Sequence, residues 1–331
     1  MSGVPVSLVT VTHVEVMHEL SPATREGIDR FLRDLSDDLH HGGRPGLECE
    51  RLDDHLVADL RHGPRSGFLA AIARRDGALV GYAQASSSAG GHVVDSVIGR
   101  NEHDSLRSDL LRPLMDALPA GSRVTWWAHD DDRDLAGSLG LVEGRRLLQM
   151  RVGLPVDEPR EVLATRPFAV GADESQWLEV NNAAFAWHDE QGSWDLDMIR
   201  QREREPWFDA AGFLVHEIDS EMAGFCWTKV HPPAAGVDQR PIGEIYVIAV
   251  HPRHRGTGLG RALTLAGIDY LSTIGASACM LYVDAGNQAA VTLYASLGFR
   301  VVHAEQAFVG RHGRAPTPAA RTALARTTRQ H

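Results

Sequence analysis

Residues Glu244 to Gly260 read EIYVIAVHPRHRGTGLG, a run of mostly β-branched and apolar residues followed by a glycine-rich loop. The apolar run predicts a buried strand, and the apolar spacing from Gly260 to Ser272 predicts a helix. Glycines allow successive backbone N–H groups to converge on an anion, and the N-terminus of the helix adds partial positive charge. The segment therefore predicts a pyrophosphate-binding loop. A glycine-rich turn that only packs the helix on the strand is the alternative.

This loop differs from two common nucleotide-binding loops. Its spacing is G-x-G-x-G rather than G-x-G-x-x-G, and it does not follow the first strand of its half of the chain, so the pattern does not fit a Rossmann site. A Walker loop requires a lysine directly after its last glycine, and the single lysine of the chain is Lys229. A Walker site is therefore excluded.

Helices and strands are interleaved through the second half of the chain. The further predicted helices are Trp177 to Phe185, Asp195 to Glu205 and Gln288 to Ser296, and the further predicted strands are Phe213 to Ile218, Gly224 to Val230, Cys279 to Val283 and Phe299 to His303. This order predicts an α/β fold.

The chain contains a weak internal repeat. Residues 135–141 (LAGSLGL) match residues 293–299 (LYASLGF) at an offset of 158, and residues 77–83 (GALVGYA) resemble residues 220–226 (SEMAGFC) at an offset of 143. The repeat predicts a duplicated domain.

Domain boundaries follow from the repeat and from composition. Two prolines and no amphipathic period between Gly153 and Pro159 predict a linker over residues 154–166, which separates domains at residues 1–153 and 167–310. Residues 311–331 are rich in Ala, Thr, Pro and Arg, and we expect a mobile tail there.

Charge and hydropathy limit the possible partners. The chain has 33 Lys and Arg against 44 Asp and Glu, a net charge of −11, and a nucleic-acid groove needs clustered cations, so no nucleic-acid partner is expected. Neither a cationic leader followed by an apolar segment nor an apolar run of about 20 residues occurs, so neither export nor membrane insertion is expected.

The cysteines and histidines limit the possible redox and metal chemistry. The chain has three cysteines, an odd number, and they lie far apart in the sequence at Cys49, Cys226 and Cys279. This favours reduced thiols, as in the cytoplasm, over a disulfide framework. The 17 histidines form no H-E-x-x-H pattern, so no metal is expected.

Two blocks resemble the acetyl-CoA-binding pattern of the GNAT N-acetyltransferase superfamily, namely Arg255-x-x-Gly258-x-Gly260 and the segment from Asn287 to Phe299. Further blocks, among them residues 189–192 (DEQG) and 227–232 (WTKVHP), are similar to the mycothiol synthases, a family of tandem GNAT enzymes. The resemblance covers residues 167–310 well and residues 1–153 thinly. It implies two tandem GNAT-type domains in the α/β (α+β) class, each with a mixed, mostly antiparallel sheet flanked by helices.

The resemblance also implies acetyl-CoA as co-substrate. A bulge around residues 248–250 would expose backbone N–H groups toward the thioester, and the glycine loop would hold the pyrophosphate. The implied acetyl-CoA contacts are Ile248, Ala249, Val250, Arg255, Gly256, Thr257, Gly258, Leu259, Gly260, Arg261, Asn287, Gln288, Ala289, Ala290, Val291 and Thr292.

Acetyl transfer to an amine requires a base for the amine and a proton for the leaving thiolate. Glu244 begins the strand that leads to the glycine loop, and we expect it to be the general base, with a solvent-facing carboxylate as the alternative. Tyr294 lies on the last predicted helix, and we expect it to protonate the CoA sulfur. A buried phenol bonded to a backbone carbonyl is the alternative.

For the acceptor, the resemblance implies the cysteinyl amine of a cysteine-glucosamine-inositol conjugate (desacetyl-mycothiol), which would be converted to mycothiol with release of CoA. The acceptor contacts carried over from the family are Glu190, Lys229, Glu244, Tyr282 and an acid of the first half placed at Asp54, with Asp53 nearly equivalent. Two alternatives remain. They are acetylation of another small amine, such as an aminoglycoside or polyamine, and a non-catalytic acyl-CoA sensor.

The first half lacks the corresponding apparatus. At the repeat offset, Tyr294 corresponds to Ala136 and Asn287 to His129, and no glycine follows Gly99 before Leu111. We expect residues 1–153 to form a structural domain that contacts the acceptor. Because tandem domains already supply the pairing that single domains find by dimerising, we expect a monomer.

Overall fold

The computed structural model describes residues 11–42, 56–57, 59–60, 67–88, 91–99, 102–103, 105–128, 130–158, 161–187, 191–231 and 240–313. They form two compact units. The first unit contains the described residues up to Gly144 together with residues 306–313, and the second contains the described residues of Arg145–Glu305.

The first unit is a mixed sheet with helices. Its strands are β1 (Thr12–Met17), β2 (Leu69–Arg75), β3 (Ala78–Ser88), β4 (Gly91–Ile98) and β5 (Arg123–Ala128), and its helices are α1 (Pro22–Gly42), α2 (Ser105–Asp116) and α3 (Arg133–Ser138). Sequential strands pair antiparallel, except that β4 and β5 are parallel. Leu106, Leu110 and Leu114 recur every fourth residue along α2 and pack on the sheet.

The second unit repeats this plan. Its strands are β6 (Val142–Gly153), β7 (Arg166–Pro167), β8 (Phe213–Ile218), β9 (Glu221–His231), β10 (Ile242–Val250) and β11 (Ala278–Asp284), in the spatial order β6-β11-β10-β9-β8-β7. Only β10 and β11 pair in parallel among these strands of the described chain. Its helices are α4 (Glu174–Ala184), α5 (Leu196–Glu203), α6 (Leu259–Thr273) and α7 (Gln288–Ser296). The mixed α/β class predicted from the sequence is confirmed.

The two halves of the chain exchange their last strands. Strand β6 lies beside β11, from Gly153 opposite Ala278 to Leu147 opposite Asp284. The last strand of the chain, β12 (Arg300–Arg311), places its residues 306–311 against β5 in the first unit. The units therefore divide near Gly144 and Gln306 rather than at the predicted residue 153.

The predicted linker is also part of the second unit. Leu148 and Val152 of β6 pack on its core, and so do Leu154, Val156 and Leu163 of the segment predicted to be a linker. Burial of these apolar side chains, together with the hydrogen bonds that β6 gives to the edge of β11, explains why the chain continues across the predicted boundary.

The duplication is visible in matching helix ends. Gly140 follows α3 with φ of 77°, and Gly298 follows α7 with φ of 87°. In both places the next residue closes the helix, because Leu141 N donates to Ala136 O and Phe299 N donates to Tyr294 O. Glycine adopts this left-handed conformation without steric cost. The identical closure supports the correspondence of Ala136 with Tyr294.

Two hydrophobic clusters cover opposite faces of the second sheet. Alternate residues of a strand point to opposite faces. Accordingly, Cys226 packs with α6 and α7, whereas Phe225 and Trp227 pack in an aromatic cluster with Trp177 of α4. Trp227 stacks on Phe213 with ring centroids 4.4 Å apart and an interplanar angle of 6°.

Most predicted elements agree with the structure to within about three residues, but the last strand is much longer than predicted. Phe299 to His303 was expected, and β12 extends to Arg311. The sequence pattern does not predict this extension, because the buried polar residue Gln306 interrupts the apolar pattern of the strand. Its amide Nε2 donates to the backbone oxygens of Gly144 and Ala307.

The described helices include none with the length and apolar character needed to cross a membrane. Across the described residues, His, Cys, Asp and Glu form no group of three or more that could hold a metal ion.

Candidate active site

A cleft opens where β10 and β11 separate. Their parallel register runs from Ile242 opposite Ala278 to Ile245 opposite Leu281. Beyond that point lies an open cavity of about 660 Å³, lined by Ala184, Phe185, Trp187, Ile248, Ala249, Val250, Arg255, Asp284, Gly286, Asn287 and Ala289. The volume is in the range of small-molecule sites.

The cavity passes between the strands, because its wall includes neighbouring residues of β10 that belong to different faces. Ile248 packs with the cluster under α6, and Ala249 belongs to the aromatic cluster. A bulge precedes them, since the pairing with β9 shifts between Ile245 and Val247. The bulge therefore lies at Tyr246 and not at residues 248–250, which pair regularly with β9. A bulge bends the strand that carries it and changes the direction of the side chains that follow.

Six of the predicted acetyl-CoA contacts line this cavity: Ile248, Ala249, Val250, Arg255, Asn287 and Ala289. Phe185 and Trp187 form an aromatic wall of the cavity and are not among the predicted acetyl-CoA contacts. Two aromatic residues directly after the last turn of α4 were the signal available in the sequence. Arg255 Nη2 donates to Ala184 O at 2.8 Å and thereby ties this wall to the glycine loop.

The other predicted acetyl-CoA contacts lie outside the cavity lining. Gly256 and Gly258 have φ of 79° and 86°, and Gly258 is the N-cap of α6. Thr257 Oγ1 donates to His254 O at 2.8 Å. Leu259 is buried in the core, and Gly260 follows it in the first turn of α6, where helix N–H groups lack intrahelical acceptors.

The remaining members of this set surround the ends of α6 and α7. Arg261 Nη1 donates to Ser296 Oγ at 2.8 Å, and its Nη2 is paired with Glu158. Gln288 donates to Ala285 O, and Thr292 is exposed on α7. Ala290 and Val291 pack against the core, and Ala290 N donates to the capping side chain of Asn287.

Glu244 lies on the face of the sheet opposite α6, because the next residue, Ile245, packs in the α6 cluster. Glu244 is only 6% exposed. The alternative expected from the sequence, a solvent-facing carboxylate, is therefore wrong. Oε2 of Glu244 lies 2.6 Å from Nε2 of His231 on β9. Glu244 is not among the residues that line the cavity, but it lies on β10, whose residues 248–250 do. A buried carboxylate with a hydrogen-bond partner has the surroundings of a functional acid or base.

Lys229 stands directly opposite Glu244 in the sheet register and is 3% exposed. Its Nζ lies 4.7 Å from the ring centroid of Trp207 and 5.4 Å from that of Tyr246. These are cation–π distances. The single lysine of the chain is therefore a buried group and not a solvated surface residue.

Tyr282 joins the same face. Glu244 pairs with Met280 on β11, and Tyr282 is two residues further along that strand. Gln149 Nε2 donates to the Tyr282 hydroxyl at 2.8 Å. Gln149 lies on β6, so a residue from the first half of the sequence supports this face, which sequence reasoning missed.

Tyr294 lies on the α6 side of the sheet and is 7% exposed. Burial, together with the nearby thiols of Cys226 and Cys279, raises the pKa of Tyr294 well above its ordinary value. The phenol therefore stays protonated at neutral pH, as a proton donor must. The structure thus brings together Glu244, Lys229 and Tyr282 on one face, and Tyr294 on the other.

Asp54, its alternative Asp53, and Glu190 lie outside the described residues. They remain predictions from the sequence.

The first unit has a buried arginine near the point where its two parallel strands separate. Strand β4 separates from β5 after Val94 and Trp126, just as β10 separates from β11. Arg107 of α2, 6% exposed, places its Nη1 2.9 Å from Ser96 O and 3.1 Å from Ser96 Oγ. Its Nε lies 3.5 Å from Oδ1 of Asp132, the residue before α3. In strand register Ser96 corresponds to Ile248, and Asp132 is the N-cap of α3 as Asn287 is the N-cap of α7.

Comparison with protein families matches residues 180–299 to the family described as acetyltransferase (GNAT) family. A mycothiol acetyltransferase of Thermobispora bispora is 43% identical over 257 residues, which cover 75% of this chain and 85% of the relative. A mycothiol acetyltransferase of Streptomyces avermitilis is 39% identical over 302 residues, covering 86% and 91%.

Among solved structures, a tandem GNAT protein from the clavulanic acid biosynthesis pathway matches with a TM-score of 0.61 at 16% identity. The match covers 91% of this chain and 99% of that one. At this identity the likeness concerns the fold alone.

Proposed function

Because this chain belongs to the mycothiol acetyltransferases, a family of GNAT acetyltransferases, we propose that it acetylates the cysteinyl amine of desacetyl-mycothiol with acetyl-CoA, giving mycothiol and CoA. The observation that carries the proposal is the buried Glu244, hydrogen-bonded to His231 and carried by β10, the strand whose residues 248–250 line the cleft. Lys229 and Tyr282, two proposed acceptor contacts, lie on the same face as this carboxylate.

Acetyl-CoA fits the cleft and the loop that follows it. The left-handed glycines Gly256 and Gly258 lead into α6, whose N-terminal N–H groups and dipole favour a pyrophosphate. The apolar wall of Phe185, Ile248 and Ala249 suits the pantetheine arm. Backbone N–H groups of β10 beyond the separation from β11 would stabilise the oxyanion of the tetrahedral intermediate.

Proton transfer needs two groups on opposite sides of the thioester. Glu244 would accept the proton of the acceptor ammonium, directly or through a water, so that the neutral amine attacks the thioester carbonyl. When the C–S bond breaks, Tyr294 would give its proton to the CoA sulfur. The positions of Glu244 and Tyr294 on opposite faces of the sheet support these separate roles.

The acceptor would be held on the Glu244 face. Lys229 and Tyr282 offer donors to hydroxyl or amide oxygens of the sugar conjugate, and Asp54 and Glu190 are the further proposed contacts. The chain's net charge of −11 also suits a cationic acceptor, but it suits a polyamine or an aminoglycoside equally.

The deciding experiment measures CoA release from acetyl-CoA with desacetyl-mycothiol, a polyamine and an aminoglycoside in parallel. Turnover of the cysteinyl conjugate with kcat/KM well above that of the other two amines is the expected result. Preference for another amine would replace the acceptor. Binding of acetyl-CoA without turnover of any amine would favour a sensor.

The glycine loop gives a prediction with a matched control. Gly258 and Gly275 have φ of +86° and +80°, and an added Cβ at either meets no atom within 4 Å. Alanine at either position therefore costs about 1 kcal/mol of backbone strain. We expect Gly258→Ala to weaken acetyl-CoA binding about fivefold, and Gly275→Ala to leave it unchanged. Calorimetric titration measures the dissociation constant of acetyl-CoA for both variants. Equal weakening of binding in the two variants would contradict a role for the glycine loop in binding acetyl-CoA.

We further propose that residues 1–153 act as a structural domain without acetyl-CoA, and that residues 167–310 carry catalysis. The Arg107 side chain, held by Ser96 and Asp132 between the separated ends of β4 and β5, supports this division. So does Ala136, which is fully buried at the position of Tyr294.

The corresponding prediction is a stoichiometry. We expect one acetyl-CoA per chain, because Arg107 bonds to Ser96, which corresponds to the proposed acetyl-CoA contact Ile248, and Ala136 replaces Tyr294 in the first unit. Equilibrium dialysis with labelled acetyl-CoA measures the number directly. Two sites per chain in the unmodified protein would contradict the proposal.

We also infer a monomer in the cytoplasm. Cys226 and Cys279 are buried thiols without a disulfide, which supports a reducing compartment. Light scattering of the purified protein tests the monomer.

A further inference from the structure

His231 is placed to control the geometry of Glu244. It is the last residue of β9 and stands opposite Ile242, so it lies on the same face as Lys229 and diagonally across from Glu244. Its Nε2 is 2.6 Å from Glu244 Oε2, and the side chains of His231 and Glu244 are 16% and 8% exposed. This distance is short for a nitrogen-to-oxygen bond and is typical of a charge-assisted one.

The contact restricts both partners. An ionised carboxylate only accepts hydrogen bonds, so Nε2 of His231 must carry the proton that it donates. The bond restrains the rotamer of Glu244 through its Oε2. A carboxylate held in one rotamer removes a proton more efficiently than one that samples several.

We propose that His231 is a positioning residue for the base: its Nε2–H, bonded to Glu244 Oε2, holds the carboxylate in the orientation that accepts the proton of the acceptor amine. His231 itself does not touch the acetyl group or the acceptor. The proposal rests on the proposed function, since it assigns to Glu244 the role of base.

Side-chain length separates positioning from a merely structural role. The amide Nε2 of glutamine stands as many bonds from Cα as Nε2 of histidine, whereas Nδ2 of asparagine is one bond shorter and corresponds to Nδ1. Glutamine can therefore replace the hydrogen bond to Glu244, and asparagine cannot reach it. Both are polar and smaller than or similar to histidine, so both suit this half-buried site.

The experiment compares His231→Gln, His231→Asn and His231→Ala with a control, His216→Ala. His216 lies on the neighbouring strand β8, and among the described residues its side chain bonds a backbone oxygen, Ala164 O, through Nδ1 at 2.8 Å. We expect the Asn and Ala variants to lose about 10–100-fold in kcat, as residues that orient a reacting group commonly do. The Gln variant should stay within about threefold of the unmodified enzyme, and KM for acetyl-CoA should stay constant throughout.

Three results would overturn the proposal: full activity of His231→Ala, equal losses in the Gln and Asn variants, or a loss confined to KM. Thermal denaturation identifies any variant that fails to fold. If His231→Ala fails to fold, the comparison of His231→Gln with His231→Asn still tests the proposal. If the unmodified enzyme acetylates none of the amines, the proposed function fails and this assignment falls with it. If it is active and the Gln variant is not rescued, only the role of His231 fails.

Discussion

Glu244→Gln is expected to lower kcat by about 10²–10⁴-fold, the usual contribution of a positioned general base. The substitution keeps the size of the side chain and an oxygen that can accept from His231, but it removes the ability to take a proton. Because acetyl-CoA would contact β10 further along, at residues 248–250, its dissociation constant should change little. Steady-state kinetics with the preferred acceptor and calorimetric titration of acetyl-CoA measure the two quantities separately.

A matched control isolates the position from the chemistry. Glu161 is exposed in the segment before β7, and Glu161→Gln makes the same chemical change there. We expect it to retain full activity. If Glu244→Gln kept the activity of the unmodified enzyme, another residue would have to be the base. If neither the unmodified protein nor the variant acetylated any amine, a sensor would be the better description.

Trp227→Ala is expected to destabilise the protein by about 3–5 kcal/mol, the usual cost of removing a large aromatic side chain from a core. Trp227 is fully buried, stacks on Phe213, and lies edge-on to Trp177 and Tyr246 with ring centroids 5.8 Å and 5.3 Å away. Its loss would open a cavity beneath Tyr246, one of the two rings that surround the Lys229 ammonium. Urea denaturation followed by circular dichroism measures the change.

Trp187→Ala supplies the comparison, since Trp187 is 56% exposed. We expect it to cost less than about 1 kcal/mol, as substitutions at exposed positions usually do. It can still weaken acetyl-CoA binding, because the indole lines the cavity. Equal stability losses at positions 187 and 227 would contradict the aromatic cluster as the main support of this face.

Local signals in the sequence were sufficient for the strand, glycine loop and helix around residues 244–260 and for the duplication. A β-branched run, the spacing of glycines and the repeated helix end before Gly140 and Gly298 each act within a few residues of chain. For the same reason Glu244 could be chosen as a candidate base, since its place at the start of the strand is a local property.

The pairing of strands could not be predicted in this way. The exchange that sends β6 to β11 and residues 306–311 to β5 depends on which exposed strand edges each chain segment completes. The alternation of apolar residues in β6 predicts a strand but does not identify its neighbour. The boundary expected at residue 153 therefore differed from the division of the two units.

The sequence by itself determined the fold class, the anion-binding loop and the choice of Glu244, because periodicity and glycine placement are encoded by neighbouring residues. Only the tertiary structure decided that Lys229 lies over the rings of Trp207 and Tyr246, that His231 is hydrogen-bonded to Glu244, and that Arg107 contacts Ser96 in the first unit. Each of these contacts joins residues brought together by strand register or helix packing. Backbone hydrogen bonding and burial over the whole domain, rather than any local pattern, set those arrangements.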